Sequence, residues 1–195
     1  MKFLHVVNSL DPQLGGSVEA ARQMAIAMRR CGVEVEVLTL VAPRKAWAET
    51  WQVKVHALGG TLTRYGYTAR LAPWLEQNHW RYSALIVHGV WRYPSWGVQR
   101  ALQGLPTPYF LFVHGMLDPW FKEAYFWKHL KKSVWWRVCE HRAIRDASAV
   151  LFTSEEERVL SRQSFRPYRC RELVVGHCSG ITRGARTAMT SPPVA

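Results

Sequence analysis

Three short segments of this sequence combine glycine with residues that can bind an anion or exchange a proton. They are Gly15-Gly16-Ser17, His88-Gly89 and His114-Gly115. Glycine has no Cβ atom, so backbone amides at the start of a helix can approach a diphosphate closely, and the helix dipole favours the anion. A histidine in such a loop can orient a hydroxyl group or stabilise developing charge. These residue types indicate a site for a phosphorylated ligand.

A strand is predicted next to each of these segments. The strands span residues 2–7, 84–88 and 109–114, and a helix with Ser17 as its N-cap is predicted over residues 17–30. In an open α/β sheet, ligands bind outside the carboxyl ends of the strands. We therefore expect the glycines and histidines to lie along a crevice at that edge.

The remaining periodicity predicts an α/β domain over residues 1–175. Further strands are predicted over residues 33–40, 53–58, 149–153 and 172–175, and helices over 69–78, 94–103 and 122–145, with a short helix after Ser154 and a loop over 43–50. Alternating strands and helices imply parallel pairing and right-handed crossovers. The expected fold is Rossmann-like and doubly wound, with a mainly parallel sheet of about seven strands and helices on both faces.

Composition limits the class of protein. A chain of 195 residues with 48% hydrophobic side chains can bury the core of one ordinary domain. Its net charge of +12 favours anionic partners such as phosphates, lipid head groups or nucleic acid. The four cysteines form no close pair, which suits a reducing cytoplasm. No signal peptide or spanning segment is predicted, and residues 176–195 have the composition of a disordered tail.

Four motifs lie at the predicted strand ends. They are Leu4-His5-Val6-Val7-Asn8 with Gly15-Gly16-Ser17-Val18-Glu19, then His88-Gly89-Val90-Trp91-Arg92-Tyr93-Pro94, then His114-Gly115-Met116-Leu117-Asp118-Pro119-Trp120, and finally Thr153-Ser154-Glu155-Glu156-Glu157. They resemble the strand-end loops of retaining GT-B glycosyltransferases of family 4, in particular bacterial members that build surface polysaccharides. The resemblance covers residues 1–175, and its most specific part is the third motif.

This resemblance implies the acceptor-binding N-terminal half of an enzyme that transfers a hexose from a nucleotide sugar to a glycan or lipid-linked acceptor. The nucleotide sugar is a co-substrate, and no cofactor is expected. No metal is expected either, because the sequence lacks an Asp-x-Asp motif. The implied sites are His114 for catalysis, Gly15, Gly16 and Ser17 for the donor diphosphate, and Glu19, His88, Gly89, Trp91, Arg92 and Asp118 for the acceptor.

Simpler structural roles remain open for the same residues. The glycine pair can form a tight βα turn, and Glu19 can stabilise the first turn of its helix. His114 can be a hydrogen-bonded core histidine, and His5 is interpreted as one. Ser154 can act as an N-cap, because Glu157 stands three residues later as in a capping box.

The family's donor-binding domain is not represented in this sequence. No two glutamates are separated by seven residues, and Gly176-His177-Cys178-Ser179-Gly180 stands where the family continues with Pro-Asn-Gly. We therefore expect a truncation or a frame change near residue 176 and a chain that is inactive alone. A separate donor-domain chain is one possible partner. A second interpretation is a noncatalytic remnant that binds acceptor or membrane.

Residues 120–145 mix tryptophan, phenylalanine and tyrosine with lysine and arginine. A basic aromatic helix suits a membrane surface, so peripheral binding at the inner face of the cell membrane is expected. A solvated helix that packs its aromatic side chains on the sheet is the alternative. Nucleic-acid binding is a third hypothesis and is not expected, since no RNA-binding or recognition-helix motif accompanies the charge.

Overall fold

A computed structural model describes residues 1–61, 63, 65–120 and 126–176 of the chain, with only the backbone at 126–129. Its strands are Lys2–Val7 (β1), Glu34–Thr39 (β2), Lys54–Ala57 (β3), Ala84–His88 (β4), Tyr109–Phe112 (β5), Ala149–Phe152 (β6) and Glu172–Val174 (β7). They form one sheet in the order β3-β2-β1-β4-β5-β6-β7, and all neighbouring strands are parallel. The predicted doubly wound sheet is confirmed.

Seven α-helices are found in the described ranges. They are Gly16–Arg30 (α1), Lys45–Thr50 (α2), Leu71–Asn78 (α3), Tyr93–Ala101 (α4), Phe126–Trp135 (α5), His141–Asp146 (α6) and Glu155–Ser164 (α7). The predicted long helical stretch over 122–145 is confirmed in its described part, residues 126–145, where a π-helical turn at Trp136–Glu140 joins α5 to α6. Residues 122–125 of that prediction lie outside the described residues.

The predicted loop over residues 43–50 is also wrong, because α2 occupies most of it. Trp47 and Ala48 pack against a cluster that contains the buried Trp51. This packing stabilises a helix of six residues, too short to show a periodic pattern.

Helices cover both faces of the sheet. On one face, Leu4, Leu85 and Leu111 belong to a cluster that includes residues of α3, α4 and α6. On the other face, Val35 and Val37 pack with residues of α1 and α2. Alternate strand residues serve the two faces, and burying each Leu or Val side chain stabilises the fold by roughly 1.5–3 kcal/mol.

A buried carboxylate joins the first three strands. Glu36 of β2 lies 2.8 Å from Lys2 Nζ and 2.7 Å from His56 Nε2, and it accepts a hydrogen bond of 2.6 Å from the Tyr82 hydroxyl. Burial alone would raise the pKa of Glu36, but the hydrogen bonds from Lys2, Tyr82 and His56 lower it to about 2. The carboxylate is therefore ionised and paired at neutral pH.

The strand order reverses between β1 and β4. From β1 the chain builds outward through β2 and β3, and from β4 it builds the other way through β5, β6 and β7. The loops that leave β1 and β4 consequently diverge, which opens a crevice at the carboxyl ends of these two strands. This is the edge to which the glycine and histidine segments were assigned.

Three other sequence predictions concern membrane-spanning segments, the cysteines and the C-terminal tail. No helix in the described part of the chain has both the length and the apolar character needed to cross a bilayer. Cys31, Cys139 and Cys170 are free thiols, while Cys178 lies outside the described residues. The predicted disordered tail over 176–195 lies outside them too, apart from Gly176.

Candidate functional site

The divergent loops enclose a cavity of about 110 Å³ at the carboxyl ends of β1 and β4. An open groove of about 660 Å³ shares four lining residues with it and continues past Asp11 and Thr61. We call the two together the switch-point crevice. Its shared residues are Asn8, Ser9, Leu14 and Arg92, and the cavity is lined in addition by Ser17, Val18, His88, Gly89 and Met116, among others.

Gly15 begins α1. Its φ of +103° lies in the left-handed region that favours glycine, and α1 starts at Gly16. The prediction of Ser17 as N-cap is wrong: Ser17 is the second residue of the helix, because Gly15 makes the turn out of the preceding 3-10 turn Pro12–Leu14. No described side chain caps α1, and a Cβ added at Gly15 or Gly16 would meet nothing within 4 Å. The first turn of α1 therefore has no side-chain cap, and there is open space at the Cβ positions of both glycines.

Three histidines form a hydrogen-bonded chain across the sheet. His5 Nδ1 lies 2.9 Å from His88 Nε2, and His88 Nδ1 lies 2.9 Å from His114 Nε2. The register explains the geometry, since His5 is opposite Ile86 and His88 is opposite Phe112. Each histidine therefore lies two residues further along than its neighbour, on the same face of the sheet. The histidine chain therefore runs from the core beneath α1 to the carboxyl edge of the sheet.

Burial keeps the two inner rings neutral. His5 is fully buried and His88 is 8% exposed. Desolvation disfavours the imidazolium form, so the pKa of His5 falls to about 3. Burial likewise lowers the pKa of His88 well below its usual value, and the neighbouring histidines add to the effect. The interpretation of His5 as a core histidine is confirmed.

A left-handed loop follows β4. Gly89 has a φ of +85° and Trp91 a φ of +70°. The Trp91 indole N–H donates to the Met116 carbonyl over 3.0 Å, and Lys132 Nζ lies 4.7 Å from the centroid of the ring. The ring also packs against Trp136 and Phe165. Trp91 thus packs inward, and Gly89 and Arg92 line the crevice.

A second cavity of about 300 Å³ lies beyond β5 and β6. Glu157 joins its two sides, because its carboxylate accepts hydrogen bonds from Gly115 N at 2.5 Å and from Thr153 N at 2.6 Å. The Ser154 hydroxyl accepts from Glu157 N over 3.1 Å, which confirms the predicted N-cap. Asp118 also lines this cavity and accepts a hydrogen bond from Trp120 N.

The structure brings some of the predicted site residues together and separates others. Ser17, His88, Gly89 and Arg92 line the crevice, and the glycine pair lies between its lining residues Leu14 and Ser17. His114 is joined to it through His88. Glu19 instead pairs with Arg22 over 2.5 Å outside the crevice lining, and this contact lowers its pKa. The roles of all these residues stay predictions.

Sequence reasoning assigned no site role to several residues of this edge. Asn8 and Ser9 line both parts of the crevice, and their polar character directly after an apolar strand could have identified them. Glu140 accepts a hydrogen bond from Trp91 N, 49 residues away, and no local pattern signals it. Met28 contacts His5, and nothing in the apolar pattern of α1 distinguishes it from other helix residues.

Comparison with known proteins completes the description. The family model of the glycosyl transferase 4-like domain matches residues 15–176. Curated protein sequences give no match. Among solved structures, Anabaena Alr3699/HepE in complex with UDP and glucose is similar with a TM-score of 0.66 and 19% identity, over 91% of this chain and 44% of that chain.

Two further solved structures share the fold. Phytolacca americana UGT2, complexed with UDP-2fluoro-glucose and pterostilbene, has a TM-score of 0.57 and 11% identity over 90% of this chain and 54% of its own. Acinetobacter baumannii MurG has a TM-score of 0.50 and 11% identity over 92% of this chain and 47% of its own. The chain therefore spans about half the length of these proteins.

Proposed function

This chain belongs to the glycosyl transferase 4-like family, and we propose that it forms the acceptor-side half of a glycosyltransferase. The enzyme transfers a hexose from a nucleotide sugar to a glycan or lipid-linked acceptor, with retention of anomeric configuration. The observation that carries this proposal is the position of the uncapped start of α1 beside the histidine chain at the point where the strand order reverses.

The start of α1 is suited to the donor diphosphate. The helix dipole and the first amides, at Gly16 and Ser17, favour an anion, and the open space in front of the glycines lets it approach. Arg92 adds a cation on the opposite wall of the crevice. These groups offset the charge of a leaving nucleoside diphosphate without a metal ion.

We propose that His114 acts on the sugar. It follows β5 at the carboxyl edge and is held through His88, so its ring has a defined position next to the crevice. An imidazole there orients a sugar hydroxyl or stabilises positive charge that develops on the ring during transfer. Gly89 and Asn8 complete the wall that faces the acceptor.

The crevice is one wall of a larger site. Its enclosed part, about 110 Å³, is smaller than the roughly 300–1,000 Å³ of typical small-molecule sites, and the remaining 660 Å³ is a groove open to solvent on one side. A nucleotide sugar therefore needs a second surface. We propose that a second domain, on the same or on a separate polypeptide, supplies this surface and most of the donor affinity.

An exposed apolar stripe supports membrane docking of the same domain. Leu130, Val134 and Val138 are 51%, 61% and 55% exposed, and Lys131 and Arg137 lie between them in sequence. Apolar side chains that enter the lipid surface, with cations that attract anionic head groups, suit a peripheral protein on the cytoplasmic face of a membrane. Such docking would bring the crevice to a lipid-linked acceptor.

Calorimetric titration of the purified chain with UDP, GDP and their glucose and mannose conjugates tests the proposed function. We expect heat of binding with at least one conjugate, and the Gly16→Leu variant should lose it because the new side chain fills the space in front of the first amides. Gln77→Leu is the control, since it adds the same side chain to an exposed position of α3 at the opposite edge of the sheet.

The outcomes separate the candidate functions. Binding of no nucleotide or nucleotide sugar contradicts the donor contact and leaves an acceptor- or membrane-binding module. Binding that Gly16→Leu and Gln77→Leu reduce equally shows that the site lies elsewhere. Salt-sensitive binding of single-stranded DNA, with no nucleotide-sugar binding, contradicts the glycosyltransferase proposal as a whole.

A further inference from the structure

The buried end of the histidine chain terminates on a sulfur atom. His5 Nε2 lies 3.4 Å from the Sδ atom of Met28, which projects from α1 onto this face of the sheet. A thioether sulfur has no hydrogen, so it can accept a weak hydrogen bond but cannot donate one. Because the contact needs a donor, His5 Nε2 must carry the hydrogen.

The hydrogen position on His5 determines the hydrogen positions on the other two histidines. A neutral imidazole carries one N–H, and burial keeps His5 and His88 neutral. With its hydrogen on Nε2, His5 accepts at Nδ1, so His88 Nε2 is the donor over the 2.9 Å contact. His88 then accepts at Nδ1, and His114 Nε2 is the donor over the second contact of 2.9 Å.

We infer that Met28 fixes the tautomers of all three rings through this chain, so that His114 donates inward from Nε2 and accepts at Nδ1. Met28, His5 and His88 are thus positioning residues for His114. The reverse arrangement would place an unprotonated nitrogen of His5 against an unprotonated sulfur, with no hydrogen between them. The chain cannot carry a proton into the core, since sulfur does not take it up. Any proton that His114 gains or loses is exchanged at Nδ1.

This inference deepens the proposed function, on which its consequence for ligands rests. A neutral His114 with Nδ1 as acceptor binds a group that donates a hydrogen bond. A sugar hydroxyl can donate, whereas the oxygens of an ionised phosphate can only accept. In its neutral form His114 is therefore suited to a hydroxyl group of the donor sugar or of the acceptor rather than to the diphosphate.

Nitrogen NMR of the histidine side chains tests the inference directly. The chain is labelled with ¹⁵N and measured near pH 8, well above the ordinary histidine pKa of about 6.5. Long-range ¹H–¹⁵N spectra distinguish protonated from unprotonated ring nitrogens. We expect His5, His88 and His114 all to show a protonated Nε2 and an unprotonated Nδ1. A protonated Nδ1 as the main form of any of the three rings overturns the inference.

Met28→Leu tests whether Met28 sets the direction of the hydrogen bonds between the three histidines, and Met24→Leu is its control. Both methionines are partly buried on α1 and pack against the same cluster, and leucine nearly conserves their volume. In Met28→Leu the sulfur acceptor is lost, so both directions of the chain become populated and the His114 Nδ1 signal shifts toward the protonated position. Met24→Leu should leave all three rings unchanged.

The outcomes are independent of the proposed function. If the histidine spectra of Met28→Leu are unchanged and its amide spectrum is that of a folded protein, Met28 does not fix the tautomers. Because the spectra are recorded on the chain without ligand, they hold whether or not it binds a nucleotide sugar. Failure to bind any of the tested nucleotides and nucleotide sugars would contradict the proposed donor contact and leave the tautomer assignment standing.

Discussion

The backbone N–H of Trp91 donates a hydrogen bond of 3.0 Å to the carboxyl group of Glu140. Trp91 holds a left-handed φ of +70°, and Glu140 ends the π-helical turn and is fully buried. The same carboxyl group lies 2.8 Å from Ser95 Oγ and 3.3 Å from Trp135 Nε1. One buried side chain thus holds the loop that carries Gly89 and Arg92 to the crevice.

Glu140 should make the stability of this loop depend on pH. Burial raises the pKa of Glu140 from its usual value to about 7, although hydrogen bonds from Ser95, Trp135 and Trp91 oppose the rise. The folded chain then binds more protons than the unfolded chain between about pH 4.5 and pH 7. The contribution of Glu140 to stability therefore falls as the pH rises through that range.

We predict that Glu140→Gln raises the free energy of unfolding at pH 8, by on the order of 2 kcal/mol. The Ser95 hydroxyl has a single hydrogen, which it can donate either to Glu140 or to the Arg92 carbonyl, each at 2.8 Å. When Glu140 is protonated, Ser95 can donate to Arg92 and accept from the carboxyl group, and an amide NH₂ can replace that donor. Urea unfolding at pH 5 and pH 8 measures the effect, and the two proteins should agree at pH 5. A variant that is less stable than the parent at pH 8 contradicts the prediction.

The buried histidines should also make stability depend on pH, but in the opposite direction, with lower stability at low pH. Because the folded-state pKa of His5 is about 3, the folded chain binds fewer protons than the unfolded chain from about pH 6.5 downward, and its stability falls on acidification. The pKa of His88 is also lowered, so its effect on stability has the same sign. Each buried histidine contributes a slope of about 1.4 kcal/mol per pH unit.

His5→Leu tests this dependence. We expect the free energy of unfolding of this variant to fall less steeply between pH 6 and pH 4, by about 1.4 kcal/mol per pH unit, whatever its absolute value at pH 8. Denaturant titrations at three pH values give the slope. An unchanged slope would show that His5 is protonated in the folded chain.

The two glycines before α1 should respond differently to alanine. Gly15 has a φ of +103°, so Gly15→Ala is expected to lower the free energy of unfolding by roughly 1–2 kcal/mol. Gly16 is the first helical residue with open space around its Cβ position, so Gly16→Ala should be neutral or up to about 1 kcal/mol stabilising. Equal losses in the two variants, measured by urea unfolding, would contradict the described turn.

Membrane docking is tested by sedimentation with vesicles that contain phosphatidylglycerol. Val134→Glu places a negative charge in the exposed stripe and should abolish cosedimentation, and salt should weaken binding of the parent chain. Val159→Glu is the control, because Val159 of α7 is also exposed and lies outside the stripe. Equal vesicle binding by both variants and the parent would show that the stripe does not dock on the membrane.

Much of this architecture could be predicted from local patterns. The strands over residues 2–7 and 84–88 agree with the structure, and parallel pairing alone places the loops after β1 and β4 at one edge. The resemblance to family 4 glycosyltransferases is confirmed by the family match. The sequence predicts the N-cap of α1 at Ser17, two residues after the observed N-cap Gly15, because a glycine N-cap lacks the side-chain signature of serine.

The contacts within the site could not be predicted. The histidine chain depends on the stagger between β1, β4 and β5, which local spacing does not encode. Glu140 reaches Trp91 only because α6 packs against α4 and the π-helical turn directs its side chain inward. Such contacts are set by tertiary packing between segments that are distant in sequence.

The central claim is that a nucleotide sugar contacts this domain at the switch-point crevice. Amide NMR of the ¹⁵N-labelled chain during titration with UDP-glucose tests it most directly. We predict that the largest shifts occur at residues 15–18 and 88–92, and that UDP alone shifts mainly the first group. Shifts confined to the surface of α5 and α6, or none at saturating ligand, would contradict the claim.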